Sequence, residues 1–274
     1  MKTLKDHVVL FDGECPMCRT YTLAFVKTGM LDTDGRVDYQ NGMDVVCPVI
    51  DKQRAVDEIA LVDLKSGEVT YGIKSLFKIL ANACPVFGPL FSFRPFAWLM
   101  SKVYAFISYN RRVIIPAPES SDGYVYQPSF KLHYRLAYLL LTWFCTGYIL
   151  TAYTHFLAGV IPLGGAYREY LICGGQMIFQ GIIIIAFARE KLWAYLGNMM
   201  TISFAGSLLL LVPVVLSNWI KFSLIFYPEY FMATAGLMFL EHIRRTKLLE
   251  LGWILTFTWV LYRVLLLGLI VIVD

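Results

Sequence analysis

The sequence predicts an α/β domain over residues 1–115, a linker over 116–129, and an all-α transmembrane bundle of about five spans over 130–274. Three observations predict it. Apolar residues make up 58% of the chain and the mean hydropathy is +0.60, both above the soluble average, and the excess falls after residue 130, where Leu, Ile, Phe, Tyr and Trp dominate. The first part instead alternates short β-branched runs with stretches of helical period. Two cysteines, Cys15 and Cys18, stand where the first such run passes into the first helical stretch.

His7 to Phe11 is short, β-branched and ended by Asp12-Gly13, which reads as a buried strand. Pro16 to about Lys27 has helical spacing, with Tyr21 and Phe25, joined by Leu23 and Val26, toward a core. Thr28-Gly29 ends it, glycine being the usual residue past a helix C-terminus. Val37-Asp38-Tyr39 is a second strand, and Asn41 to Lys52 reads as irregular. Glu58–Asp63 and Val69–Tyr71 flank Lys65-Ser66-Gly67 as a hairpin. Ile73 to Ala83 is helical, with Ile73, Leu76, Phe77 and Leu80 in register. Arg94 to Arg112 is amphipathic, and Pro95 suits its first turn. Strand, CxxC, helix, strand, irregular segment, hairpin and helix is the layout of a small thioredoxin-like domain. The linker is polar and carries an acidic patch, Glu119–Asp122, read as solvated.

A membrane span needs about 20 mostly apolar residues. Five candidates follow, near 134–158, 170–188, 193–216, 228–243 and 249–272. Arg111, Arg112, Lys131 and Arg135 precede the first; Arg189 and Lys191 separate the second and third; Arg244, Arg245 and Lys247 separate the fourth and fifth. The other side has only Arg168 and Lys221. The positive-inside rule then expects an integral protein of the cytoplasmic membrane, its N-terminal domain cytoplasmic and its C-terminus outside. The polar start, Met1 to His7, has no signal-peptide pattern, in keeping with that orientation. The modest net charge of +4 clusters beside apolar segments, which points to a lipid bilayer rather than nucleic acid as partner.

Cys15 falls at the start of a helix, where unpaired N–H groups and the dipole favour a thiolate. Cys18, one turn on, can resolve a mixed disulfide. Pro16 pre-sets the helix at no cost in hydrogen bonding. Arg19 adds positive charge, Asp12 moves a proton or braces the turn, and Gly13 allows a backbone conformation that other residues resist. Two further readings stay open: half of a metal site, and a non-functional remnant. A zinc site needs two more ligands, typically another close pair, whereas Cys47 and Cys84 stand singly and His7 is the nearest histidine. Dithiol redox exchange is the favoured reading, with no metal and no cofactor beyond the cysteine pair. In a reducing compartment the six cysteines are not a disulfide framework.

Val8-Val9-Leu10-Phe11-Asp12-Gly13-Glu14-Cys15-Pro16-Met17-Cys18 resembles the signature of the DCC family of thiol-disulfide oxidoreductases, named for an Asp and two Cys that match Asp12, Cys15 and Cys18. The resemblance runs over about residues 7–115, through Gly72 and on to Tyr109-Asn110-Arg111-Arg112, which is similar to an Asn-Arg element of the family. It implies a thioredoxin-like fold and dithiol/disulfide activity on an unknown thiol or disulfide, protein or small molecule. Thioredoxins proper also place a cis-proline opposite the CxxC. Arg54-Ala55-Val56-Asp57 contains none and Pro48 is far upstream, which points away from thioredoxin-style peptide recognition.

In the second half, Arg263 near the middle of the last span is the functional candidate, since a charge inside a membrane is rare. Its structural alternative is snorkelling or a pair with Glu229 or Glu169. Cys145 and Cys173 lie at different depths and read as packing residues rather than an electron relay. His155 and the Tyr and Trp residues read as interfacial or packing groups. Gly164-Gly165 and Gly174-Gly175 would allow close helix approach. The expected function is a membrane-anchored thiol-disulfide oxidoreductase. The alternative is a transporter, sensor or assembly subunit whose CxxC domain is regulatory or vestigial.

Overall fold

Val8, Val9, Leu10 and Phe11 are all buried because their strand, β1 (His7–Phe11), runs through the middle of a sheet. The computed structural model describes residues 2–40, 50–117 and 128–273. Cys47, Pro48 and the Glu119–Asp122 patch lie outside them, as does most of the stretch expected to be irregular. The chain divides into two units, residues 1–134 and 135–274.

In the first unit β1 leads through Cys15 into α1 (Pro16–Lys27). Then come β2 (Arg36–Asp38), α2 (Lys52–Asp57), β3 (Ala60–Asp63), β4 (Val69–Tyr71), α3 (Ile73–Ala83), α4 (Gly88–Ser92) and α5 (Arg94–Ile114). The sheet order is β2-β1-β3-β4. β1 is parallel to β2, with Leu10 opposite Val37, and antiparallel to β3, with Leu10 opposite Ala60. Alternate residues face opposite ways along a strand. Leu10, Ala60 and Val62 therefore pack with Tyr39 and Val56, while Val9, Phe11 and Leu61 pack with Cys15, Cys18, Leu31 and Ile79. Both thiols sit on the second of these cores.

Most boundaries fall where periodicity put them. β2 starts one residue earlier than expected. Gly29 past α1 has φ +72°, the left-handed conformation a helix end favours. Leu23, expected in the core, is 40% exposed; Thr22 is buried instead, its hydroxyl donating to the Cys18 carbonyl at 2.8 Å. The helix α2 was not foreseen. Its six residues are too few to show a 3.6-residue apolar period, and its start is set by Asp51, whose carboxylate accepts from the Arg54 N–H at 3.0 Å.

The remaining chain is helical: α6 (Leu132–Thr154), α7 (Arg168–Ile185), α8 (Leu192–Leu216), α9 (Phe226–Leu248) and α10 (Ile254–Val273). Among the described residues only Leu132–Leu157 and Arg189–Leu216 are long and apolar enough to cross a membrane, and the apolar run Ile254–Ile270 is shorter. Two of the about five expected spans therefore meet this measure in full, and the others fall short of it. The physical reason is polar content. α7 carries Arg168, Glu169, Gln176 and Gln180; α9 carries Glu229, Glu241, His242, Arg244, Arg245 and Lys247. Several of these groups meet in the interior of the second unit. Tyr195 donates to Gln180 Oε1 at 3.0 Å and lies 3.2 Å from His242 Nε2, and Arg245 donates to Asn198 Oδ1 at 2.9 Å. Gly174 permits the close approach expected of it, since a Cβ there would lie 2.9 Å from the Trp143 ring.

Candidate functional site

The C-terminal end of β1 delivers Asp12 into a tight turn. The Cys15 N–H donates to the Asp12 carbonyl at 3.2 Å, and the Glu14 N–H donates to Asp12 Oδ1 at 3.1 Å. Asn/Asp side chains that bond the backbone two residues on stabilise such turns. Gln40 closes the turn from beside β2: its Nε2 donates to Asp12 Oδ1 at 2.9 Å and its Oε1 accepts from the Gly13 N–H at 2.9 Å. Gly13 is absent from the residues with positive φ, so the expected reason for a glycine there is corrected. Space demands it, since a Cβ at Gly13 would lie 2.9 Å from the Asp38 Cβ.

Cys15 is the N-cap of α1 and Pro16 its first residue. Cys15 has no exposed surface and Cys18 is 3% exposed, and both are free thiols. The Cys15 pKa falls from an ordinary value near 9 to about 6. The Cys18 thiol, hydrogen-bonded to the Cys15 sulfur, is the largest cause; the Cys18 backbone N–H and the Arg111 charge add to it, against burial and the Asp12 carboxylate. Cys18 moves up, because it shares its proton with Cys15 and is buried. Tyr21 is hydrogen-bonded to Cys18, and burial raises its pKa too. One thiol of the pair is thus poised as a thiolate while the other holds the proton.

The positive charge comes from the far end of the domain. Arg111 on α5 is buried. Its Nη2 reaches Asp12 Oδ2 at 3.3 Å, the Tyr39 hydroxyl at 3.2 Å and the Val56 carbonyl at 2.9 Å, and its Nη1 reaches Ser108 Oγ at 3.3 Å. Arg112 Nη2 lies 2.8 Å from the same Asp12 oxygen and 3.3 Å from Glu14 Oε2. Asp12 is 1% exposed, so its charge is held by two guanidinium groups rather than by water. Arg19, expected to supply this charge, lies on the exposed side of α1. With Pro16, Thr20, Leu23 and Arg36 it lines an open depression of about 490 Å³. The tuning role of Arg111 was missed; its only sequence signal was the Asn110-Arg111-Arg112 element. Among the described residues no cluster of His, Cys, Asp and Glu could hold a metal ion.

In the second unit Arg263 is held differently from the expected pairing. Its Nε donates to Gln176 Oε1 and its guanidinium lies 5.8 Å from the centre of the Trp259 ring. Glu169 pairs with Arg168 at 2.9 Å instead. Arg263 is half-buried, and an amide from a neighbouring helix gives its guanidinium an acceptor there. His155 is exposed, and Cys173 is buried while Cys145 is half-buried.

Thiolate, not thiol, reacts with alkylating agents. Iodoacetamide labelling of Cys15 in the reduced chain is expected to rise through a midpoint near pH 6, and Cys18→Ala should move that midpoint up by removing the largest cause. A wild-type midpoint near 9 would show that the pair is not coupled.

A family model described as DCC1-like thiol-disulfide oxidoreductase matches residues 9–115, and no family model matches the remainder. No curated protein and no solved structure matches the chain.

Proposed function

Residues 9–115 belong to the DCC1-like thiol-disulfide oxidoreductase family, and on that premise we propose that the protein is a membrane-anchored enzyme that exchanges dithiols for disulfides. The carrying observation is the pairing of a Cys15 thiolate with a Cys18 that holds the proton. Cys15 attacks one sulfur of a substrate disulfide, forming a mixed disulfide and releasing the other half as a thiolate. Cys18 then loses its proton and attacks the Cys15 sulfur. The second half of the substrate leaves as a thiolate, and Cys15–Cys18 ends as a disulfide that has given up two electrons. The largest cause of the raised Cys18 pKa, its bond to the Cys15 sulfur, is lost once that sulfur is in the mixed disulfide. Cys18 is thereby freed to ionise when it is needed. Asp12 braces the turn and fixes Arg111; Arg111 favours the Cys15 thiolate.

The sheet order β2-β1-β3-β4 followed by α3 supports the thioredoxin-like reading. Two full-length apolar helices support the membrane anchor. The charge pattern of the loops favours five spans with the dithiol on the cytoplasmic, reducing side, where it would reduce or exchange disulfides rather than install them. The transporter or sensor reading leaned on Arg263 as a charge within a span and on the size of the bundle, and the bond of the Arg263 Nε to Gln176 favours the anchor. The test is a trap. Cys18→Ser, expressed in cells, should accumulate mixed disulfides through Cys15 that a reductant releases, and an empty trap under mild oxidation would overturn the proposal.

A further inference from the structure

Between Glu68 and Glu119 the chain has no acidic residue, while Lys74, Lys78, Arg94, Lys102, Arg111 and Arg112 are all basic. Arg111 and Arg112 are committed to Asp12 and Glu14. Of the other four, Arg94 and Lys102 are exposed on a surface that is unusually apolar. Val86 is 87% exposed, Phe87 49%, Phe93 59%, Trp98 63%, Leu99 53% and Val103 40%. Single exposed apolar residues are ordinary, but a contiguous group on consecutive elements marks an interaction site.

The group rests on a firm base. Phe77 of α3 stacks on Phe91 of α4, ring centres 4.3 Å apart and planes 7° from parallel, and Phe96 of α5 lies 6.0 Å from Phe77. The helix α5 divides its faces accordingly. Ser108 and Arg111 are buried toward the dithiol site, and Tyr104 accepts from the Ile59 N–H at 3.0 Å. Arg94, Trp98 and Lys102, spaced four apart, are exposed together with Leu99 and Val103. Residues four apart share a helix face. One face thus carries aromatic and aliphatic groups interleaved with positive charge and free of negative charge. That is the make-up of a helix lying in the interface of a bilayer with anionic lipid.

We propose that the outer face of α4 and α5, centred on Trp98, Leu99 and Lys102, docks the dithiol domain onto an anionic membrane surface. Charge decides between occupants. A second copy would bring the same basic residues against themselves, whereas anionic headgroups complement Arg94 and Lys102. The inference rests on the reading that the helical unit is embedded in a bilayer, which keeps this domain within reach of a leaflet.

The full chain, reconstituted into vesicles of phosphatidylcholine alone or with roughly one part in four of phosphatidylglycerol, carries benzoylphenylalanine in place of Leu99. Control probes replace Leu208 on α8 and Ser66 in the hairpin. On illumination, position 99 should capture lipid, more in the anionic vesicles, and position 66 should capture none. Lys102→Glu should lower the yield at position 99 in anionic vesicles by about fivefold while leaving disulfide turnover unchanged. If position 208 captures lipid while position 99 captures protein, from its own chain or another, or nothing, the docking inference is overturned and the embedded reading stands. If position 208 also captures no lipid, both fall.

Discussion

Cys15→Ser is expected to lower disulfide turnover by at least about three orders of magnitude, because a hydroxyl at that site supplies neither the anion nor the sulfur that forms the mixed disulfide. The fold should survive. Serine is slightly smaller, serves well as an N-cap, and can keep the hydrogen bond to Cys18. Cys18→Ser should also stop multiple turnover, at a different step: Cys15 still attacks, one equivalent of leaving thiol appears, and the enzyme stalls. Stopped-flow measurement of thiol released per chain separates the two, giving none for Cys15→Ser and one for Cys18→Ser. Equal bursts from both variants would exclude the assigned roles. The contrast depends on the pKa split, which makes Cys15 reactive and holds Cys18 back.

Arg111→Met should destabilise the N-terminal domain by about 3–5 kcal/mol, the cost of breaking a buried ion pair on one side. The side chain it replaces serves Asp12, Tyr39, Val56 and Ser108 at once. Without it the Val56 carbonyl loses a partner, and of its two guanidinium groups the Asp12 carboxylate keeps only Arg112. The same change should raise the Cys15 midpoint, since an attractive charge is lost while the repulsion of Asp12 remains. Arg111→Lys separates the two effects. A compact ammonium keeps charge near the thiolate but cannot reproduce the guanidinium fork, so the midpoint should shift less than in Arg111→Met although stability still falls. Urea unfolding of the full chain, followed by labelling of the buried thiols, reads the first effect, and iodoacetamide rates against pH read the second. A stability loss below about 1 kcal/mol would mean that the cluster behaves as a surface pair.

How much of this was legible in the chain depended on the range of the interaction. β1, α1, the hairpin and α3 were visible because period-2 and period-3.6 patterns are written in neighbouring residues. Cys15 at a helix start was visible for the same reason, as strand, Asp-Gly turn, Pro16 and helical spacing lie within a few residues. The short α2 was hidden because its signal is a single capping carboxylate, that of Asp51. Arg19 looked like the tuning charge because it is near in sequence. The charge that acts, Arg111, is 99 residues from Asp12 and reaches it only when α5 packs against the sheet.

The second half teaches the same lesson. Its helices were legible, since apolar content alone marks them. Which of them are apolar enough to cross a membrane was harder to read, because polar residues such as Gln176, Gln180 and His242 dilute the apolar runs of helices whose interior partners are other polar groups. Arg263 was a conspicuous charge whose partner could not be chosen from the sequence among Glu169, Glu229 or an amide.

The sequence by itself determined most of the longer helices and strands, that a CxxC pair opens the first helix, and that the second half is strongly apolar. Local sterics and short-range burial periodicity decide those features. Only the tertiary structure decided that Gly13 is needed for space, that Arg111 and Arg112 hold Asp12, and that Gln176 answers Arg263. Each is a matter of which desolvated groups end up within about 3 Å of one another, and chain proximity carries no information about that.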